Sequence, residues 1–344
     1  MTSAVQPVVL AGGAGTRLWP VSTEERPKHL LEIVGSGTML EQVIQRVGDP
    51  SLFRPPIIVG AAAQADEIGA LAADAELILE PCPRGSAAAV AFAGFSVPEE
   101  TVLLVLPSDH YVTDPTPLLD AVRIAEPIAR SGRLVTFGIR PARAETGYGY
   151  IAAGNAIGEG VLEANSFVEK PSKEVAEELV QSGSAFWNSG MFLFTAGAFL
   201  EELRRHAPDI YEATTTAVAM GRTSGRRSIP DRGALETCPS TSIDYAVMEH
   251  SDRIAVVPIQ LDWSDVGSWA AVYELGTKDA EGNVIDDRSH AIGSSGSLLR
   301  SNGPSIVAIG VQDLVVIATQ DHVLVVQRSD AQRLRDAAEM MKPQ

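Results

Sequence analysis

The chain has 344 residues, 45% of them hydrophobic, and a formal charge of −17, enough for one large α/β region and a smaller one beside it. The acidic balance excludes a nucleic-acid binder, whose face must be basic to meet backbone phosphates, but a pocket inside an acidic shell can still be basic enough for small phosphorylated molecules. Two cysteines, Cys82 and Cys238, make neither a disulfide framework nor a metal cluster, and without a leader-like or membrane-length apolar run the chain is expected to be soluble and cytoplasmic, with no membrane and no nucleic acid among its partners.

In chain order, residues 8–11, VVLA, form a short apolar strand after Pro7. Gly12, Gly13 and Gly15 then let the backbone turn with φ > 0 and leave a row of N–H groups beyond the strand end. Such a row holds phosphate oxygens, and Arg17 and Lys28 add positive charge to it. The spacing fits neither a P-loop nor a dinucleotide turn. Helical spacing over 39–47, a strand at 57–59, a helix over 64–73 and a strand at 76–80 give the βαβα order of a parallel sheet covered by helices. Residues 80–86, EPCPRGS, follow a strand on the side where such sheets bind ligands, and Gly85 and Ser86 open an Ala-rich helix running to about 95.

The apolar strand at 101–106 delivers Asp109 and His110, and a carboxylate there suits Mg²⁺, a hard ion that prefers oxygen ligands and bridges to phosphates. A helix over 118–129 and a strand over 134–139 precede a Gly/Tyr turn at 145–151 that feeds an edge strand, and the stretch before Phe167 reads as irregular. Helices are expected over 172–180, 198–206, 211–220 and from Ser242 to about 249. The polar stretch 221–233, with Arg222, Arg226 and Arg227, reads as a solvated loop. After the strand at 254–258, Asp265 is open to two readings, a turn or N-cap carboxylate and a metal ligand. Beyond about 279, short apolar pieces at 306–310, 314–318 and 323–326 suggest strands that coil or pair without helices between them, followed by a helix over 331–341.

Residues 12–31, GGAGTRLWPVSTEERPKHLL, resemble the signature loop of sugar-1-phosphate nucleotidylyltransferases, most closely the mannose-1-phosphate guanylyltransferases, and the blocks EPCPRGS, PSDH, FVEKP, WNSGMF, SIDYAVME and WSDVGSW follow in the family's order. The resemblance implies an α/β fold with a Rossmann-like, mixed and mostly parallel sheet flanked by helices. It divides the chain into a catalytic domain at 1–278 and a small β-rich, β-helix-like domain at 279–344. The activity it implies joins GTP to α-D-mannose 1-phosphate with Mg²⁺, releasing pyrophosphate and GDP-mannose.

It assigns catalysis to Arg17, Lys28, Asp109, Lys170 and Asp265. The nucleotide falls to Gly12, Gly13, Gly15, Thr16, Arg17, Lys28, Glu80, Gly85, Ser86 and Asp109. The sugar phosphate falls to Gly147, Glu169, Lys170 and Asn188, and the metal to Asp109 and Asp265. Residues 242–249 are read as structural. The family's Asn-Thr is replaced by Gly85-Ser86, a feature closer to enzymes that use uridine or thymidine nucleotides. Heptose or glucose 1-phosphate with GTP, UTP or dTTP therefore stands as an alternative pair, and a non-catalytic nucleotide-sugar binder as an alternative class. A homodimer is expected, and isomerase activity is not.

Overall fold

Along the chain, β1 (Gln6–Ala11), α1 (Met39–Arg46), β2 (Ile57–Ala61), α2 (Ala65–Leu71), β3 (Glu76–Glu80), α3 (Ser86–Phe95) and β4 (Val102–Pro107) alternate as the spacing predicts. The computed structural model describes residues 4–13 and 16–334. A two-residue β5 (Tyr111–Val112), α4 (Thr116–Arg130) and β6 (Leu134–Ile139) follow, and then the hairpin of β7 (Tyr150–Gly158) and β8 (Val161–Val168). Next come α5 (Lys173–Gln181), β9 (Ala185–Thr195), α6 (Ala196–His206), α7 (Pro208–Ala219), β10 (Arg222–Ser224), β11 (Arg227–Ile229), α8 (Arg232–Glu236), a π-helical turn at Asp244–Met248 and β12 (Ile254–Ile259).

Packing divides the chain into two units, the first made of residues 4–12, 43–108 and 112–262. Its sheet has eleven strands among the described residues, in the order β10-β11-β3-β2-β1-β4-β9-β6-β12-β8-β7. The run β11-β3-β2-β1-β4 is parallel, as is β6 with β12, whereas β9 is antiparallel to both β4 and β6. Strands β3, β2, β1 and β4 of the parallel run carry no polar alternation because both faces are covered, and β4 is buried from Val102 to Leu106. Helix α3 is buried from Ala87 to Gly94, since a helix that is apolar all round is stable only when enclosed. Two stretches expected to lack structure extend the sheet. Residues 152–166 belong to the β7–β8 hairpin, whose ladder shifts register near Ala153 and Ala156. The stretch 221–233 contains the β10–β11 pair, and two of its arginines reach helix α2 and the residues after it: Arg226 donates to the Ala73 carbonyl at 2.7 Å and Arg227 to Asp66 at 2.9 Å.

The second unit is made of residues 13, 16–42, 109–111 and 263–334. It contains β13 (Trp263–Ser264), α9 (Trp269–Leu275) and the tail strands β14 (Val284–Ile285), β15 (Ser289–Ile292), β16 (Leu298–Ser301), β17 (Ile306–Ile309), β18 (Leu314–Ala318) and β19 (Val323–Gln327). β14, β16 and β18 stack in parallel, β15 pairs parallel with β17, and β19 returns antiparallel on β18. This is a coil of short rungs. Asn283 bridges the coil's interior, donating to the Ser294 carbonyl and accepting from the Ser297 N–H, so its buried amide is satisfied. Leu298, Val315, Ile317 and Leu324 share one apolar core with Leu18, Leu31, Ile33, Trp269 and Tyr273. The Arg300 guanidinium adds hydrogen bonds to the carbonyls of Glu32 and Ile33. The segment after the glycine turn is therefore packed with the tail. A 3₁₀ helix spans Arg328–Arg333, and the rest of the helix expected over 331–341 lies outside the described residues beyond 334. No helix among the described residues is long and apolar enough to cross a membrane.

Candidate active site

The second unit gathers three of the residues singled out by sequence around one ammonium group. Pro27 leads into a 3₁₀ turn, Lys28–Leu30, that buries Lys28, and only 7% of its side chain is exposed. Its Nζ donates to Asp109 Oδ2 at 2.9 Å and also to the Asp265 backbone carbonyl. Burial on its own pushes the Asp109 carboxyl upward, but the Lys28 charge, His110, the Lys28 hydrogen bond and His29 together hold it below the usual carboxylate range. Trp263 Nε1 donates to His110 Nδ1 at 3.1 Å, fixing the imidazole beside Asp109.

Asp265 Oδ1 accepts the Gly267 N–H at 3.2 Å, and the N-cap of α9 is Ser268, whose Oγ accepts from Ala271. Of the reading of Asp265 as a turn or N-cap carboxylate, the N-cap half is therefore ruled out and the turn half is what the structure shows. A side chain at 267 would collide with Asp265 Oδ2 and come within 3.2 Å of Arg17 Nη1. The absence of a side chain at 267 thus leaves room for both the Asp265 carboxylate and the Arg17 guanidinium. Gly13 has φ +95°, and neither it nor Gly12 would meet any atom within 4 Å through an added Cβ, so both have open space beside them. Gly15 and the Thr16 side chain lie outside the described residues. Among the described residues, no group of three or more His, Cys, Asp or Glu side chains forms a metal cluster. Asp109 and Asp265 carry hard oxygen donors of the kind Mg²⁺ takes.

In the first unit, Glu80 ends β3 with 8% exposure, and its Oε1 has no hydrogen-bond partner among the described residues. Burial lifts this carboxyl to about 7. The following loop is stitched to residues 235–243: Arg84 donates to the Leu235 and Glu236 carbonyls, and Ser86 Oγ accepts the Ile243 N–H at 2.9 Å. Gly85 has φ +84°, and a Cβ there would run into the backbone carbonyl of Thr241. A close backbone crossing requires this glycine. The Ser86 hydroxyl likewise holds the loop together.

A second lysine–carboxylate group lies in the same unit. Lys170, at φ +48°, donates to Glu169 Oε1 at 2.6 Å, with 55% of the lysine side chain but only 8% of the glutamate exposed. Burial pulls the Lys170 ammonium down, and the hydrogen bond and charge of Glu169, aided by Tyr245 and Asp244, more than reverse this. The Glu169 backbone N–H donates to Glu249 Oε1 at 2.7 Å, and Glu169 Oε2 lies against Gly149, where any side chain would collide with it. Asn188 is buried on β9, donates from Nδ2 to Asp244 Oδ1 at 2.9 Å and accepts at Oδ1 from Thr136 and the Gly190 N–H. Burial and the charge of Glu169 lift the Asp244 carboxyl to about 6, against its hydrogen bonds and the charge of Lys170. The Gly147 N–H donates to Glu145 at 3.3 Å, within its own loop.

Glu169, Lys170 and Asn188 are thus brought together, whereas the Gly147 N–H is turned into its own loop. Asp244, Gly149, Glu249 and Thr136 join them without having been singled out. Asp244 is visible in the sequence as an acid in SIDYAVME, beside the inward-facing Ile243, Ala246 and Val247, a setting that reads as structural. Nothing in the sequence signals the Thr136 hydroxyl in an apolar strand.

The nucleotidyl transferase family profile matches residues 6–282, and that of the MannoseP isomerase/GMP-like beta-helix domain matches 287–340. A mannose-1-phosphate guanylyltransferase from Salmonella muenchen is 41% identical over 352 residues, spanning 99% of this chain and 74% of that protein. A crystal structure described as mannose-1-phosphate geranyltransferase from Thermus thermophilus superposes with a TM-score of 0.87 at 34% identity, covering 99% of this chain and all of that one. A structure described as mannose-6-phosphate isomerase from Helicobacter pylori aligns with a TM-score of 0.67 at 27% identity over 76% of this chain and all of that one. With its nucleotidyl transferase region and its coil each matched, the chain belongs to the mannose-1-phosphate guanylyltransferase family.

Proposed function

We propose that this protein transfers the guanylyl group of GTP to α-D-mannose 1-phosphate, forming GDP-mannose and pyrophosphate. The observation that carries this reading is the buried Lys28 ammonium held between Asp109 and Asp265, in a chain that resembles guanylyltransferases along 99% of its length. A phosphate oxygen of the sugar phosphate attacks the α-phosphorus in line. The new P–O bond forms as the bond to the β-phosphate bridging oxygen breaks, and the electron pair leaves with pyrophosphate. The nucleophile is already an anion, so no general base is needed, and positioning and charge stabilisation supply the acceleration.

Lys28, Arg17 and the N–H groups around Gly12 and Gly13 take the charge that grows on the triphosphate. Asp109 and Asp265 would hold Mg²⁺, which when bound neutralises phosphate charge. Glu80 accepts hydrogen bonds from the N1–H and amino group of guanine, and its unpartnered oxygen supports that role. Lys170 holds the phosphate of the sugar phosphate, with Glu169, Asn188 and the Gly147 loop at the sugar. The requirement for glycine at 85 has its own steric cause, so Gly85 gives no support to a uridine or thymidine nucleotide. On this reading residues 1–278 carry the chemistry and 279–344 support it.

Pyrophosphate release across a grid of GTP, ATP, UTP and dTTP with mannose, glucose and heptose 1-phosphates tests the proposal. GTP with mannose 1-phosphate should give the highest kcat/KM. A tenfold advantage for UTP or dTTP would overturn the base assignment, and no release from any pair would remove the enzyme reading.

A further inference from the structure

Asn188 is the residue in this group that sequence assigns to the sugar, yet its amide is largely committed within the protein. Its Oδ1 accepts from the Gly190 N–H at 3.1 Å and lies 3.0 Å from the Thr136 hydroxyl. Its Nδ2 donates to Asp244 at 2.9 Å, and its backbone N–H donates to the Gly149 carbonyl at 2.8 Å. The backbone donor at Gly190 and the carboxylate acceptor at Asp244 fix which way the amide points, because the flipped form would set donor against donor and oxygen against carboxylate. One lone pair of Oδ1 is taken by the Gly190 N–H and the other faces the Thr136 hydroxyl, whose single proton is shared with the Met191 carbonyl at 3.3 Å, so the amide is oriented by the protein and one of its N–H groups is spent on Asp244.

Asp244 is in the opposite condition. A carboxylate accepts about four hydrogen bonds, and this one receives the Asn188 N–H, with Ser242 and its own backbone N–H as further donors. Capacity remains on an oxygen pair within the electrostatic reach of both Glu169 and Lys170. Glu169 is committed to Lys170 through Oε1, and its Oε2 lies against Gly149.

We infer that Asp244 is a specificity-determining residue of the sugar site, accepting a hydrogen bond from a hydroxyl of the sugar phosphate, and that Asn188 is a positioning residue that aims the Asp244 carboxylate. The inference rests on the proposed reading of Glu169 and Lys170 as the sugar-phosphate group. A residue whose only task was to start the π-helical turn would change stability when altered but would leave discrimination among sugars as it was.

The test measures kcat/KM for mannose 1-phosphate and its singly deoxygenated derivatives at fixed GTP, in the wild type, Asp244→Asn and Asn188→Ala. In the wild type, removing the hydroxyl that Asp244 receives should cost about 10–100-fold, the range of a lost hydrogen bond to a charged group. In Asp244→Asn the ratio of mannose 1-phosphate to that derivative should fall to within about threefold of unity, while the KM for GTP stays within about twofold. Asn188→Ala should lower the same ratio without abolishing it, as expected of a residue acting through another.

The pH dependence of the wild type gives the same answer without any variant. The groups acting on Asp244 are Glu169, Lys170 and Ser242, with the Asn188 amide hydrogen-bonded to it. Both sugars carry the same phosphate, so phosphate titration cancels in the ratio, and discrimination should be present above pH 6 and decline as Asp244 is protonated below it. Unchanged ratios in Asp244→Asn, or a wild-type ratio flat across pH 5 to 8 for every derivative, would overturn the inference while leaving the proposed reaction standing. Absence of turnover with mannose 1-phosphate itself would remove both.

Discussion

The two lysine–carboxylate groups use the same pair of residue types in opposite ways. Lys28 is almost fully enclosed, clamped between the Asp109 carboxylate and the Asp265 carbonyl, and packed in a unit whose core includes Trp269 and the tail strands. Lys170 is more than half exposed, held by a single short ion pair to a buried Glu169 on a backbone at positive φ. An enclosed ammonium has no rotamers left to lose and is pre-oriented for charge that develops during reaction. An exposed one can swing toward an incoming phosphate, because more than half of its side chain is already in solvent. On the proposed reading, the first group serves the transition state and the second the capture of a substrate.

The sharpest way to break that comparison is to remove the enclosed ammonium. Lys28→Ala should lower kcat by about 10²–10³-fold, the loss of one preorganised charge donor, and should cost the fold much less, since the Asp109 side chain is 39% exposed and water can take up its charge. Lys28→Arg should fail nearly as badly, since a planar fork cannot replace a point charge between a carboxylate and a carbonyl. Steady-state kinetics with chemical denaturation checks both.

Next in size are Asp109→Asn and Asp265→Asn, each expected to lower kcat by roughly 10²-fold and to raise the Mg²⁺ concentration for half-maximal activity. The double variant should lose much less than the product of the two. A normal Mg²⁺ midpoint in Asp265→Asn would reduce that residue to its turn with Gly267.

Lys170→Ala should raise KM for the sugar phosphate about tenfold or more, and should lower the unfolding midpoint because the buried Glu169 carboxylate loses its cation.

The smallest effect concerns Glu80. Burial raises its folded pKa to about 7 from the ordinary 4.5, so the protein favours the protonated form. The stability this brings is full below pH 4.5 and is lost as pH rises through 7. Glu80→Gln should therefore gain on the wild type in thermal unfolding at pH 8 relative to pH 5. An equal difference at the two values would show that Glu80 is not buried in the folded protein.

How much of this is legible in the sequence depends on pattern. β1 to β4 and α3 are continuous apolar runs, and their places follow from composition and turn residues alone. The β7–β8 hairpin does not show because Gly154, Asn155, Gly158 and Gly160 interrupt any alternation, and its register shifts accordingly. β10 and β11 are three residues each and mostly polar, below the length at which a strand declares itself. In the site, Lys28, Asp109 and Asp265 stand out by motif, but their meeting around one ammonium is a tertiary fact that no spacing encodes. Asp244 escapes a sequence reading because an acid in a helical stretch is ordinarily a solvated one. Gly85 reads in the sequence as a sign of the base, whereas its positive φ and the Thr241 crossing make it a sign of the backbone.

The division of labour between the two lysines is tested most directly by titration calorimetry of each substrate against Lys170→Ala and the wild type, in Mg²⁺ and without turnover. The account predicts a Kd for GTP unchanged within about twofold and a Kd for mannose 1-phosphate weakened about tenfold or more. Equal weakening of both, or of GTP alone, would contradict it.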